Sequence, residues 1–296
     1  MRIFVTGATG FIGSAVVQNL IQAGHQVVGL TRSEAGAEAL QAAGTQPLHG
    51  NIEDLDSLRR GAADSDGVIH LAFNHDFSRF QQNCEDDRRV IEAIGEVLAG
   101  SDRPFVVTSG TAIAANVDGK PSTEDSPLAS WNPRGASEAA IRGLTERGVN
   151  TSVVRLPQVH DTRRQGLVPY LLAVAREKGV SAYIGEGKNR WPAAHITSVA
   201  ELYRLAFEKA EPGAIYHAVG EEGVSMKEIA EAHARGLKIP AVSIPLEQAQ
   251  EHFGWLAHFA PHDMPSSSAL TQKKLNWKPI GPSLIADLDA MDYSQA

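Results

Sequence analysis

Thr6-Gly7-Ala8-Thr9-Gly10-Phe11-Ile12-Gly13 follows directly on the apolar run Ile3-Phe4-Val5, and a helical stretch begins inside it. Ile12, Val16, Leu20 and Ala23 recur at helical spacing, the mark of one buried helix face. The order is strand, glycine turn, helix. Each glycine then has a physical role, since Gly7 permits a tight turn, Gly10 lets the backbone approach a pyrophosphate, and Gly13 lets helix and strand pack closely. The first helical turn supplies unpaired N–H groups and a dipole that favours an anion. Glycine spacing alone recurs in many turns, but a strand before and a helix after make this segment a dinucleotide loop, with Thr9, Phe11 and Ile12 among its contacts.

Outward from this loop, short runs rich in β-branched residues recur at 27–30, 68–72, 105–108, 152–156 and 215–219. They read as strands buried on both faces, and their alternation with helical stretches predicts an α/β, Rossmann-type doubly wound parallel sheet. After about Pro157 the rhythm changes to longer Gly-, Pro- and His-rich pieces between helices. Ser198 with Glu201, and Ser225 with Glu228, have the spacing of capping boxes. The expected division is a nucleotide-binding domain over 1–157, with later contributions from about 195–220, and a smaller C-terminal substrate-binding lid over 158–296.

A chain of 296 residues with 43% hydrophobic and 21% charged residues has the balance of a folded protein. Its net charge of −8 opposes nucleic acid as a partner. Cys84 is the only cysteine, so no internal disulfide forms, and a reducing, cytoplasmic setting is expected. The sequence shows neither a signal-peptide pattern nor an apolar run of membrane-spanning length.

The second strand settles the cofactor preference. In this fold a carboxylate at its end accepts from the adenosine ribose of NAD. Here the strand ends Leu30-Thr31-Arg32-Ser33. Arg32 offers a planar, permanently charged fork suited to a 2′-phosphate, with Ser33 beside it, so NADP(H) is preferred. The plainer alternative makes Arg32 a solvated surface arginine; Glu34 lies close enough in sequence to pair with it, which leaves NAD(H) as the lesser choice.

Together with the glycine loop, Val68-Ile69-His70-Leu71-Ala72 and Arg155-Leu156-Pro157 resemble the extended and atypical short-chain dehydrogenase/reductases of epimerase/dehydratase type. Trp191-Pro192-Ala193-Ala194-His195-Ile196 and Leu275-Asn276-Trp277-Lys278-Pro279 are similar to later segments of that family, and the likeness runs the length of the chain. The resemblance implies that Asn51 and Ile52 lie beside the adenine, that Leu71, Ala72 and Phe73 line the ribose and nicotinamide side, and that Pro157 and Val159 cover the nicotinamide. It also places Tyr183 and Trp191 in the substrate pocket, gives His195 chiefly a role in tying the domains together, and leaves Asn74 to reach the pocket as a polar contact.

The chain departs from the family at its catalytic signature, a Tyr followed four positions later by a Lys. The matching stretch is Arg134-Gly135-Ala136-Ser137-Glu138, so Tyr has become Arg134 and Lys has become Glu138. Arginine has no proton to give at ordinary pH. Ser109 and Thr111 are both placed to orient a carbonyl, or simply to turn the chain at the strand end. Arg134 would stabilise developing alkoxide charge, and His160 would exchange the proton, unless it is a wall or surface histidine. No ligand set for a metal is seen.

Three functions follow. The first is an NADPH-dependent oxidoreductase that reduces the carbonyl, or a comparable unsaturated group, of a small molecule. The second is a dinucleotide-binding sensor or partner-binding protein without turnover, and the third is a nucleotide-sugar epimerase or dehydratase. Either a monomer or a homodimer joined through the helices around 84–98 and 136–147 is compatible with the sequence.

Overall fold

The computed structural model describes residues 1–116, 119–129 and 131–294. Strands β1 (Arg2–Thr6), β2 (Gln26–Thr31), β3 (Gln46–His49), β4 (Gly67–His70), β5 (Phe105–Gly110) and β6 (Thr151–Leu156) are followed by β7 (Gln158–His160), β8 (Ser181–Ile184) and β9 (Arg190–His195). The last strands are β10 (Ile215–His217), β11 (Glu221–Ser225) and β12 (Ala241–Ile244). Seven of them form a parallel sheet in the order β10-β6-β5-β4-β1-β2-β3. The order of strand addition reverses between β1 and β4, which is where a doubly wound sheet opens its ligand crevice.

Helices α1 (Phe11–Gln22), α2 (Glu34–Ala42), α3 (Leu55–Ala63), α4 (Phe80–Leu98) and α5 (Gly135–Glu146) connect the first six strands. Beyond β7 come α6 (Val168–Lys178), α7 (Ile196–Lys209), α8 (Met226–Leu237), α9 (Ala249–Phe253), α10 (Ala269–Leu275) and α11 (Leu284–Ala290). Each predicted strand of the sheet is present. The sequence pattern leaves out β3, whose Pro47 argues against a central strand. It survives because β3 is the sheet edge, where one missing backbone donor is tolerated.

Two faces of the sheet carry separate cores. One joins Val16 and Leu20 of α1 to Val199, Tyr203 and Phe207 of α7; the other joins Leu58, Ile91, Ile94 and Leu144 from α3, α4 and α5. The chain thus returns after β9 to add α7 and β10 to the first sheet. A third core, with Trp191, Met226, Ile229 and Leu288, packs the C-terminal elements around the sheet β11-β9-β7 and the pair β12-β8.

Of the two expected capping boxes, the one at Ser225 and Glu228 is formed in full at the start of α8. The other is not. His195 caps α7, and Ser198 lies inside the helix, where its Oγ donates to the Ile280 carbonyl at 2.6 Å. Trp277 Nε1 donates to the Ser198 carbonyl at 3.1 Å, so this serine anchors the C-terminal segment. No helix among the described residues is long and apolar enough to cross a membrane.

Candidate functional site

The glycine loop is built to hold an anion. Gly7 sits at φ +69°, where a side chain would be strained, and a Cβ there would also come within 2.8 Å of the Ala72 nitrogen. At Gly13 a Cβ would lie 2.0 Å from the Gly7 carbonyl oxygen. Gly10 caps α1 without a side-chain hydrogen bond, and the first turn holds no acidic residue. Thr9 and Gly10 are exposed, whereas Phe11 and Ile12 are half-buried. The loop therefore presents open N–H groups at the end of a 12-residue helix, and the residues present fit a dinucleotide pyrophosphate.

At the end of β2, Arg32 and Ser33 are exposed. Ser33 Oγ accepts from Gly36 N at 3.1 Å and caps α2. Glu34 does not pair with Arg32; its nearest partner is His49, at 3.9 Å. Asn51 and Ile52 are half-buried. The Asn51 carboxamide oxygen accepts from the N–H groups of Glu53 at 2.7 Å and Asp54 at 3.0 Å.

From Thr6 a buried chain of hydrogen bonds leads to the position of the missing tyrosine. Thr6 Oγ1 accepts from Leu71 N and Ala72 N, each at 3.2 Å, so its own proton is directed at His70 Nδ1, 2.6 Å away. His70 Nε2 then carries the ring hydrogen and donates to Asp87 Oδ1 at 3.0 Å. Asp87 Oδ2 accepts from Ser137 Oγ at 2.6 Å and lies 3.1 Å from Arg134 Nη1. Burial pushes the Asp87 carboxyl up, but Arg134 and the His70 and Ser137 hydrogen bonds outweigh it and hold the group below the usual carboxylate range.

Arg134 is gripped from three sides. Besides Asp87, its Nη2 donates to the Thr108 carbonyl at 3.1 Å, and its Cζ sits 3.8 Å above the Phe73 ring. Its Nη1 is buried against the Asp87 carboxylate. Cys84 lies nearby, but burial pushes its thiol up to about 11, and a protonated thiol is a poor nucleophile.

Glu138, in the place of the family's lysine, is equally buried. It takes both Arg155 Nε and Nη2 at 2.8 Å; Arg155 Nη1 in turn meets His217 Nε2 at 3.2 Å. Both signature positions have thus changed charge, and each new charge has a buried counter-charge.

The structure separates Ser109 from Thr111. Thr111 Oγ1 donates to the Leu156 carbonyl at 3.3 Å, whereas the buried Ser109 Oγ has no partner. Leu71, Ala72 and Phe73 are half-buried beside the loop, and Pro157 is buried. Val159 is a core residue at 2% exposure.

Two expectations are corrected. His160 is wholly enclosed, and its Nδ1 lies 2.7 Å from Asp287 Oδ2, so it ties β7 to α11 and has no path to exchange a proton with substrate. Trp191, also fully enclosed, belongs to the C-terminal core and fills space instead of lining a pocket. Tyr183 is half-buried on β8, with the Lys227 ammonium 6.0 Å from its ring centroid. His195 caps α7 through its Nδ1, which accepts from Thr197 N. Asn74 is exposed, and its Oδ1 accepts from Asp76 N at 3.0 Å.

Asp87 is the residue that sequence reasoning missed, because it lies within the charged run Glu85-Asp86-Asp87-Arg88-Arg89. A signal was present. Asn83, Asp87, Val90, Ile91 and Ile94 share one helix face, and all are buried, so an acid on an apolar stripe was the mark of a buried partner.

Parallel sheet order, glycine loop and open helix end together define a nicotinamide-dinucleotide fold with an altered catalytic signature. Residues 3–220 match the NAD dependent epimerase/dehydratase family, and the chain belongs to that family. It is 52% identical over 295 residues to uncharacterized protein C2A9.02 of Schizosaccharomyces pombe, across 99% of this chain and 100% of the relative. It is 29% identical over 226 residues to the 2-alkyl-3-oxoalkanoate reductase of Stenotrophomonas maltophilia, across 72% of this chain and 67% of that enzyme. The crystal structure of DesIV, a dTDP-glucose 4,6-dehydratase from Streptomyces venezuelae with NAD and TYD bound, matches with a TM-score of 0.78 at 19% identity, over 99% of this chain and 96% of that one.

Proposed function

We propose that the protein is an NADP(H)-dependent oxidoreductase that reduces the carbonyl, or a comparable unsaturated group, of a small organic substrate without the Tyr and Lys pair. The observation that carries this reading is Arg134, a cation held by buried Asp87 at the position of the family's proton donor. The glycine loop and the half-buried Leu71, Ala72 and Phe73 would hold the dinucleotide, whose nicotinamide would supply hydride to the carbonyl carbon. The Arg134 guanidinium sets positive charge beside the oxygen on which negative charge builds, the unpartnered Ser109 hydroxyl orients that oxygen, and a proton from water completes the alcohol. Fixed donors in a site shielded from water stabilise such charge far more than solvent does.

Arg32 supports the NADPH preference, because it is exposed at the turn after β2 and forms no ion pair among the described residues. A second reading, dinucleotide binding without turnover, is favoured by the buried pairing of both altered positions. The family membership keeps a sugar-nucleotide epimerase or dehydratase as the third.

One experiment separates them: titration of NADPH and NADH into wild type and Arg32→Ala, followed by a ketone and sugar-nucleotide panel read as nicotinamide absorbance. The expected result is substrate-dependent NADPH oxidation, with Arg32→Ala weakening NADPH at least tenfold and NADH little. Equal weakening of both removes the 2′-phosphate argument. Tight binding without oxidation favours the sensor, and sugar-nucleotide conversion favours the epimerase.

A further inference from the structure

The chain has nine Phe, five Tyr and four Trp residues, and seven of these gather at one place. Phe73, Phe77 and Phe80 come from the segment after β4; Trp131 precedes α5 by a few residues. Tyr170 comes from α6, and Trp255 and Phe259 lie beyond α9. The Phe77 and Trp255 rings stack at 4.5 Å and 7°. Trp131 stacks on His262 at 4.7 Å and 8° and meets Phe259 edge-on. Tyr170 meets Trp255 edge-on at 5.1 Å.

This group is continuous with the candidate site. Phe73 carries the Arg134 guanidinium on its face and touches Phe80 edge-on, so the rings run outward from that guanidinium. The group reaches the surface at two rings, Trp131 at 43% and Tyr170 at 39% exposure, while Phe259 is buried. Rings that served only as interior packing would be covered, whereas here two rings reach the surface and Phe73, Phe77, Phe80 and Trp255 behind them stay half-buried. Flat π-faces reward stacking of a planar ring, and they offer few of the hydrogen-bonding groups that a sugar requires.

We infer that the substrate is a planar aromatic ketone or aldehyde, its ring held in this aromatic group and its carbonyl directed to Arg134. The aromatic half of this inference stands on the ring geometry; the carbonyl half rests on the reductase reading above.

The test is calorimetric titration of 2-acetylnaphthalene, its saturated counterpart 2-acetyldecalin, and UDP-glucose into the protein with and without NADPH, with NADPH binding measured separately. The planar ketone is expected to bind about tenfold tighter than the saturated one. Trp131→Ala and Tyr170→Ala, both at exposed positions, should each weaken it several-fold while leaving the unfolding midpoint and NADPH affinity unchanged. Equal affinity for the two ketones, binding of neither, unchanged affinity in both variants, or binding of UDP-glucose instead would overturn the inference. Failure of NADPH to bind while the planar preference persists would sink the reductase reading and leave the aromatic site standing.

Discussion

A methyl group added at Gly13 would lie 2.0 Å from the Gly7 carbonyl oxygen and 2.8 Å from its carbonyl carbon. Both obstacles are backbone, so no side chain can swing aside and the loop itself must move. Gly13→Ala is therefore expected to lower NADPH affinity by tenfold or more and to cost about 1–3 kcal/mol of stability, the usual range for overpacking. Calorimetry and thermal unfolding check both, and a variant that binds NADPH normally would show that Gly13 has no part in shaping the loop. Arg134 and Glu138 differ from Gly13 in how far sequence alone could take them. Their departure from the Tyr and Lys signature was plain in the sequence, but their partners, Asp87 and Arg155, lie on other elements and no spacing rule connects them.

Helix α4 has two kinds of charged residue. Arg88 pairs with Glu85 and Glu92 along the outer face, where ion pairs contribute little. Asp87 lies on the inner face at 4% exposure, and its carboxylate links β4, through His70, to α5, through Ser137 and Arg134. Asp87→Asn keeps the shape but leaves Arg134 without its counter-charge. Breaking a buried pair costs about 3–5 kcal/mol, and that loss should appear in denaturant unfolding. Replacing Arg134 as well removes the stranded charge, so Asp87→Asn with Arg134→Met should lose less than the sum of the single variants by more than about 1 kcal/mol. Strictly additive losses would argue that the two residues do not interact. The charged run made this helix look like a wet surface, and only the placement of its apolar stripe against the sheet reveals which acid is inside.

At the scale of the molecule, buried histidines make stability depend on pH. Burial, then Arg155, pushes His217 down to about 3 against the opposing Ser267 carbonyl; burial, then Arg176, pushes His233 down to about 4. Both remain neutral in the folded protein while an unfolded histidine takes up a proton below about pH 6.5. The unfolded chain therefore binds more protons in this window. The stability these groups permit is complete above about pH 6.5 and falls as pH drops toward 4, by up to about 1.4 kcal/mol per unit for each histidine. Urea unfolding of wild type and His217→Asn across pH 7 to 4.5 should show a shallower decline in the variant. Identical slopes would mean that His217 does not stay neutral in the fold.

The sequence by itself determined the glycine loop, the parallel sheet and the dinucleotide class, because these rest on local chemistry. Absence of a Cβ at Gly7 and Gly13, apolar periodicity in α1 and β-branched runs in the strands each act within a few residues of chain. It also exposed the loss of the Tyr and Lys pair. What only the tertiary structure decided is which charges meet and which rings gather. His160 stands close in sequence to the nicotinamide-covering stretch, yet Asp287, 127 residues away, holds it inside. Trp191 looked like a pocket wall and is core, while Phe77 and Trp255, far apart in the chain, stack face to face. Burial and pairing between distant segments follow from how the C-terminal elements close over the sheet, and neither spacing nor composition carries that information.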